Sequence, residues 1–217
     1  MKNYVITIMD NEKSVEAAQR CIRSGYTTGG LDIQHWKATT PADDLLSITA
    51  KNGIEMSAMD EVYSRTSNCI AAFLSHFSLW KECVELNQEV TIFEHDAICI
   101  NNINSQIVYK GCISLGAPSY GRFNTPTGFG AVPLQSKRYF PGAHAYRVKP
   151  EGAKVLMAQA LMGARPTDVY LNIDTFPFLQ EYYPWPVEAR DSFTTIQSEM
   201  GCKAKHNFNE KYEIVDV

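Results

Sequence analysis

The amino-acid sequence predicts an α/β fold in which helices pack on a central sheet. A β-branched run at 4–9, a helical pattern from Ser14 to Gly25 and an alternating segment at 31–36 follow one another as strand, helix and strand. This order opens many nucleotide-binding α/β units. A further apolar run at 90–94 has the composition of a strand buried inside such a sheet.

The first helix is predicted from apolar residues that recur at steps of three and four. These residues are Val15, Ala18, Cys21 and Ile22. Gly25 is placed to end this helix. Neither a GxGxxG motif nor a P-loop motif follows the first strand, so the sequence indicates neither a Rossmann dinucleotide loop nor a P-loop.

The clearest helical pattern runs from Ser67 to about Leu86, after a weaker helical tendency at 43–48. Its apolar stripe consists of Ile70, Phe73, Leu74, Phe77, Trp80 and Val84. Ser67 fits the N-cap position. Ser75 and His76 interrupt the apolar face, and a histidine in a core helix is more often a hydrogen-bonded structural residue than a ligand.

Strand-like segments and one long loop follow the acidic residues after position 93. We expect strands at 107–109 and 112–115. The segment 116–133 is rich in glycine, proline and small polar residues, and loops of this length are usually functional or disordered. Its aromatic and cationic residues favour a lid that closes over a ligand: Tyr120, Arg122, Phe123 and Phe129.

The last third of the chain predicts two adjoining strand segments and a helix. The strands lie at 138–140 and 143–148, and the helix begins at Pro150 and ends at Gly163. Another apolar segment begins at 165–171 after a short polar entry. The remaining prolines lie among aromatic residues and indicate extended connections.

Composition favours a globular protein with one domain spanning 1–217. The hydrophobic fraction of 45% and the charged fraction of 20% are ordinary for such a protein. The net charge of −4 disfavours a nucleic-acid-binding protein, whose usual mark is a basic face.

Location and membrane contact are predicted from apolar runs and cysteines. No apolar run reaches the ~18 residues that cross a bilayer, so any membrane contact is expected to be peripheral. The first ten residues become polar too soon for a secretory signal. Scattered cysteines without a CxxC pair indicate reduced, buried thiols and a cytoplasmic protein.

The acidic residues after the apolar run are the first candidate site. If the strand continued regularly through Glu94-His95-Asp96, the two carboxylates would share one face and His95 would point to the other. Ligands of open α/β sheets gather at the carboxyl ends of strands. Two adjacent carboxylates repel each other unless a cation or proton lies between them. A solvated strand end is the alternative interpretation.

Several motifs resemble glycosyltransferase family 25, which includes lipopolysaccharide and collagen galactosyltransferases. Residues 69–80 resemble its GCxLSHxxLW helix, 92–97 its ILEDDA strand, and 142–146 with 152–153 its GTHAY…GA segment. Pro166-Thr167-Asp168 matches a later PxD, and Thr194-Thr195-Ile196 approximates STI. Their order and spacing hold from about residue 4 to residue 197. His95 in place of the middle acid and the loose match at 69–72 are departures that bear on metal use.

The resemblance implies a GT-A type fold with a Rossmann-like mixed sheet, and an inverting transfer from a UDP-sugar to a hydroxyl. UDP-galactose is the typical donor, and Mn²⁺ or Mg²⁺ assists the reaction. The acceptor, a glycan, lipopolysaccharide or protein hydroxyl, is left open. Carboxylates suit these hard cations. His95 is expected to pack or hydrogen-bond, and would join the metal only at a bulged backbone.

Site residues follow from the resemblance together with their positions. The metal would be held by Glu94, Asp96 and His206, where a charged tail also explains the histidine. Asp168 would be the general base, or else a carboxylate that complements a helix dipole. Donor or acceptor would be bound by Ser75, His76, His144 and Tyr146, although the last two also fit a polar strand face.

Two other functions compete with the transferase. A zinc-dependent hydrolase would use His76, His95, Asp96 and His144, but these lack the H-x₃-H and HExxH spacings of zinc sites. A non-catalytic nucleotide-sugar-binding or carbohydrate-binding module would bind a UDP-sugar without turnover.

Overall fold

The computed structural model describes residues 1–59 and 65–190. The helices are α1 (Glu12–Gly29), α2 (Leu45–Asn52), α3 (Thr66–Leu86), α4 (Pro150–Ala160) and α5 (Thr167–Tyr170). The strands are β1 (Lys2–Thr7), β2 (Ile33–Lys37), β3 (Val90–Glu94), β4 (Ala97–Cys99), β5 (Cys112–Ser114), β6 (Gly130–Pro133), β7 (Ala145–Val148), β8 (Gln180–Tyr183) and β9 (Val187–Ala189).

A mixed sheet forms the centre of the described chain. Its strand order is β2-β1-β3-β7-β5-β8-β6, and β4 pairs separately with β9. Strand β1 runs parallel to both β2 and β3, whereas β7 lies antiparallel between β3 and β5. The predicted α/β class is confirmed, with a central mixed sheet and flanking helices.

The sheet is covered on both faces. On one face, α3 and α4 pack their apolar residues against Ile92 and Tyr146. On the other face, Ala18 and Cys21 of α1 pack against Phe93. Strand β3 is therefore buried on both sides as far as Phe93, and Glu94 is its first residue to reach a partly exposed position.

Helix α1 is longer than predicted. It continues through Gly25 and ends at Gly29, followed by Gly30 at a φ of 65° in the left-handed conformation. A Cβ at Gly25 would lie 2.5 Å from Cδ1 of Ile33, so this glycine lets the helix approach β2 closely. The prediction that Gly25 ends the helix was wrong because close packing also selects glycine.

Helices α3 and α4 confirm the predicted apolar patterns, with different ends. Helix α3 begins at Thr66, and Arg65 occupies the N-cap without a side-chain hydrogen bond, so the N-cap prediction for Ser67 was wrong. Helix α4 begins at Pro150 as predicted. It ends at Ala160, before Gly163, and its C-cap Leu161 has a right-handed conformation.

Two strand predictions were wrong. Residues 107–109 form no strand, although Ile107 and Tyr109 are buried in the cluster beside α1. Their apolar character anchors a loop to the core. Residues 138–140 form no strand either, apart from an isolated bridge between Tyr139 and Asn172. The strand predicted at 90–94 is confirmed, and a turn follows it before β4.

The cysteines of the described segments, Cys21, Cys69, Cys83, Cys99 and Cys112, are buried, as predicted. None of the described helices combines the length and apolar character that crossing a bilayer requires.

Candidate active site

A cavity of about 110 Å³ lies where the parallel strands β1, β2 and β3 end. Its strand-end lining consists of Ile6, Ile8, Ala38, Thr39, Thr40 and Pro41. The turn Glu94-His95-Asp96 lines it as well, and α3 closes one side. The cavity therefore lies at the carboxyl ends of the strands, where the sequence predicts a ligand site.

One face of α3 supplies the helical wall of the cavity. Asn68, Ala71, Ala72, Ser75 and His76 line it, at the spacing that puts residues on one helix face. The hydroxyl of Ser75 accepts a hydrogen bond from the backbone N–H of Thr39 at 2.9 Å and donates to the carbonyl of Ala71 at 2.9 Å. Ser75 therefore holds the segment after β2 against α3, and it also faces the cavity.

A hydrogen-bonded chain of side chains leads from the core to Glu94. The Nε1–H of Trp80 donates to the Tyr146 hydroxyl at 2.8 Å. That hydroxyl lies 2.9 Å from Nδ1 of His76, and His76 Nε2 lies 3.1 Å from Oε1 of Glu94. The expectation that His76 is a hydrogen-bonded core residue is confirmed, and its ring also reaches the cavity.

Burial disfavours the charged forms of both His76 and Glu94. Desolvation lowers the pKa of His76 to about 3, although the negative charge of Asp168 acts in the opposite direction. Desolvation raises the pKa of Glu94 to about 7, with a further rise from Asp168 and an opposing effect of His95. Burial thus favours the neutral imidazole, so the 3.1 Å contact between His76 and Glu94 is a hydrogen bond rather than an ion pair.

His95 points away from Glu94, as predicted. Its Nδ1 lies 2.9 Å from the hydroxyl of Ser14, near the start of α1, so the expected hydrogen-bonding role is confirmed. Ser14 also accepts the backbone N–H of Ile8 at 2.9 Å, which ties the end of β1 to this turn. His76 and His95 thus contact different helices.

Asp96 lies in the turn after β3 and not on the strand, so strand alternation does not place its carboxylate. The guanidinium of Arg20 donates to the backbone carbonyl of Asp96 at 3.3 Å. Burial lowers the pKa of His144, and the negative charge of Asp96 opposes that shift. The turn therefore presents Glu94 towards α3, and its Asp96 lines the cavity.

Asp168 lies on α5, outside the lining of the cavity, and acts on the site through its charge. Its Oδ2 accepts a hydrogen bond from Tyr120 at 2.5 Å, and its Oδ1 accepts the backbone N–H of Val169 at 2.8 Å. Burial, followed by the charge of Asp168, raises the pKa of Tyr120. The same carboxylate affects the pKa of Glu94 and of His76, so it shares one electrostatic environment with them.

His144 and Tyr146 do not form a ligand-facing strand surface in the described structure. Tyr146 is fully buried behind His76, outside the lining of the cavity. His144 is buried against Gly116, where an added Cβ would lie 2.4 Å from its Nε2. Tyr146 contacts His76, which lines the cavity, so Tyr146 holds a supporting position there. A direct role of His144 and Tyr146 in binding donor or acceptor stays a prediction.

The residues predicted to bind the metal are Glu94, Asp96 and His206. His206 and the segment Thr194–Ile196 lie outside the described residues. Within residues 1–59 and 65–190, no cluster of three histidine, cysteine or acidic side chains is arranged to hold a metal ion. Among the described residues, the candidate ligands of a metal ion are therefore the carboxylates of Glu94 and Asp96.

Several site residues were not identified from the sequence. Thr39 and Thr40 follow β2 directly, and polar residues after a buried strand were the available signal. Asn68 shares the α3 face with Ser75, which helical spacing would have revealed. Tyr120 was assigned to a lid, but its contact with Asp168 spans 48 residues and has no local signal.

Comparison with known proteins identifies the family. Residues 1–171 match the family described as Glycosyltransferase family 25 (LPS biosynthesis protein). No curated protein matches the chain. A solved structure of a mutant Drosophila β-1,4-galactosyltransferase 7, in complex with manganese, UDP-Gal and xylobiose, is 7% identical with a TM-score of 0.32. It covers 81% of this chain and 69% of that chain, a likeness too weak to argue from. The family match covers most of the chain, which therefore belongs to glycosyltransferase family 25.

Proposed function

We propose that this glycosyltransferase moves a sugar, typically galactose, from a UDP-sugar to a hydroxyl of a glycan, lipopolysaccharide or protein acceptor, with inversion at the transferred carbon. A divalent cation, Mn²⁺ or Mg²⁺, assists the reaction. The observation that carries this proposal is the cavity at the ends of β1, β2 and β3, lined by Glu94 and Asp96 and electrostatically coupled to Asp168.

The donor set at the acidic turn fits a hard divalent cation. Glu94 and Asp96 offer carboxylate oxygens, and Asp168 adds negative charge nearby. A cation would offset this charge, which together with burial disfavours ionised Glu94. Glu94 and Asp96 would hold the ion while leaving positions for phosphate and water. When bound, the ion supplies charge neutralisation for the diphosphate leaving group.

The size and lining of the cavity suit part of a UDP-sugar. Ligand pockets commonly measure ~300–1,000 Å³, so a cavity of about 110 Å³ holds only part of such a ligand. Its apolar lining residues, among them Ala71 and Ala72, suit the face of a nucleobase. The diphosphate would then lie towards the acidic turn, with the sugar beyond it.

Asp168 is the proposed general base for the acceptor hydroxyl. An inverting transfer needs one group to take the proton of the attacking hydroxyl. Asp168 is half-buried, and the hydrogen bonds from Tyr120 and Val169 fix its orientation. Its location in α5 also fits a carboxylate that complements a helix N-terminus, so activity measurements must separate the two roles.

The geometry favours the transferase over a zinc hydrolase. His76 is engaged by Glu94 and Tyr146, whereas His95 is engaged by Ser14 on the opposite side of the turn. These partners orient the two imidazoles towards different helices, and a zinc site needs its ligands to converge. A non-catalytic binding module would have the same site, so only an activity measurement distinguishes it from the transferase.

The proposal is tested by measuring the release of UDP from UDP-galactose and other UDP-sugars. Each donor is incubated with a panel of hydroxyl acceptors. We expect acceptor-dependent release that needs Mn²⁺ or Mg²⁺, is lost with a chelator and is strongly reduced in Asp96→Asn. UDP-sugar binding without release under any acceptor would instead establish a binding module. Chelator-insensitive release would contradict the metal requirement.

A further inference from the structure

Trp80 and Tyr146 form a buried support beneath the proposed donor site. Trp80, Tyr146 and His76 are each at most 1% exposed, and they connect in series to Glu94. An indole N–H can only donate a hydrogen bond. The Tyr146 oxygen must therefore accept from Trp80, which leaves its own proton to be directed elsewhere.

The proton of Tyr146 has one suitable acceptor in the described structure. Nδ1 of His76 lies 2.9 Å from the hydroxyl, whereas Trp80 offers only its donor. Burial of His76 favours the neutral ring, in which one nitrogen accepts and the other donates. If Nδ1 accepts from Tyr146, the ring proton resides on Nε2 and is donated to Glu94.

The other tautomer of His76 is disfavoured twice. A proton on Nδ1 would compete with the proton of Tyr146 for the space between the two groups. It would also turn the lone pair of Nε2 towards Oε1 of Glu94, 3.1 Å away. An ionised carboxylate only accepts hydrogen bonds, so this contact would be repulsive whenever Glu94 is ionised.

We propose that Trp80 and Tyr146 are positioning residues that fix the Nε2–H tautomer of His76 and thereby hold Oε1 of Glu94. The other oxygen, Oε2, is then directed to ligand. The side chain of Glu94 is 25% exposed, so it remains open towards the cavity. The role of Glu94 towards ligand rests on the proposed function, whereas the proton arrangement does not.

Long-range ¹H–¹⁵N NMR of histidine-labelled protein tests the proton arrangement. The wild-type protein is expected to show His76 as the Nε2–H tautomer, with its signals assigned by their loss in His76→Gln. An Nδ1–H tautomer in the wild type would overturn the proposal, whatever the substrate. In Tyr146→Phe, we expect a mixture of tautomers, since Nδ1 has lost its donor. An unchanged single tautomer there would also overturn the proposal.

Binding of UDP with Mn²⁺ tests the positioning of Glu94. Partners that orient a metal ligand commonly contribute 10- to 100-fold to affinity or activity, so Tyr146→Phe is expected to weaken binding about tenfold or more. Tyr170→Phe is the matched control. Tyr170 is also buried and stacks on Trp80, but its hydroxyl donates to the carbonyl of Leu156 at 2.6 Å. Equal binding losses in the two variants would show a general packing effect and contradict the proposal.

Failure of the two claims can be told apart. If the wild-type protein binds no UDP, the proposed donor site fails, and the NMR spectrum still decides the tautomer. If UDP binds and Tyr146→Phe changes neither the tautomer nor the affinity, the donor site stands and the positioning role fails.

Discussion

Replacing Asp168 with asparagine separates catalysis from binding and from stability. The substitution keeps the shape of the side chain. Its amide oxygen can still accept the backbone N–H of Val169, and the Tyr120 hydroxyl can rotate to accept from the new amide. Because both hydrogen bonds can be retained in neutral form at a half-buried position, the free energy of unfolding should fall by no more than about 1.5 kcal/mol.

The expected effect of Asp168→Asn on turnover is much larger. General-base catalysis contributes ~10²–10⁴-fold, which corresponds to about 3–5 kcal/mol of transition-state stabilisation. Steady-state UDP release with saturating donor and acceptor measures this loss as kcat. UDP affinity in the presence of Mn²⁺ should change much less than kcat, because Asp168 is not one of the proposed metal ligands.

A matched control is Asp174→Asn, whose carboxylate pairs with Arg138 on the surface. It should leave kcat unchanged, because surface ion pairs contribute little. A kcat for Asp168→Asn within tenfold of the wild type would refute the assignment of the base. The carboxylate would then be a helix-terminal group, and another residue would take the proton.

Three further perturbations are predicted from the structure. UDP binding with Mn²⁺ should weaken as the pH falls through about 7, because the pKa of Glu94 lies there and a protonated carboxyl binds metal poorly; Glu94→Gln should abolish this pH dependence. Gly152→Ala should lower Tm by at least about 2 °C, since its Cβ would lie 2.2 Å from the carbonyl oxygen of Gly111. Gly163→Ala, with open space around it, should not lower Tm. Phe129→Ala should raise the KM for acceptor with little change in Tm if the loop is a lid, because this ring is 81% exposed.

Each of these outcomes has a contrary result. A pH profile unchanged in Glu94→Gln would show that another group controls binding. Equal Tm values for Gly152→Ala and the wild type would mean that α4 can move away from the strand it packs on. An unchanged KM in Phe129→Ala would remove this ring from any closing segment.

The sequence predicted the location of the site because local patterns determine it. The buried composition of β3 and the polar residues after it placed Glu94 at the carboxyl end of a central strand. The helical stripe of α3 placed His76 near the core, where it is found. Strand alternation failed for Asp96, because the chain turns directly after Glu94 and no glycine or proline marks that turn.

The internal organisation of the site could not be predicted in the same way. Trp80 and Tyr146 are 66 residues apart in sequence, and their contact depends on how α3 packs across β7. Tyr146 alternates with small residues, as an exposed strand face can, yet it is buried because α3 covers that face of the sheet. Tertiary packing therefore decided which polar side chains face a ligand and which support them.

Isothermal titration of UDP, with and without Mn²⁺, tests the central claim most directly when it is repeated on Asp96→Ala. The account predicts binding by the wild-type protein that depends on metal and is abolished by the substitution, which would place the donor site at the end of β3. Absence of UDP binding under any metal condition, or equal binding by Asp96→Ala, would contradict it.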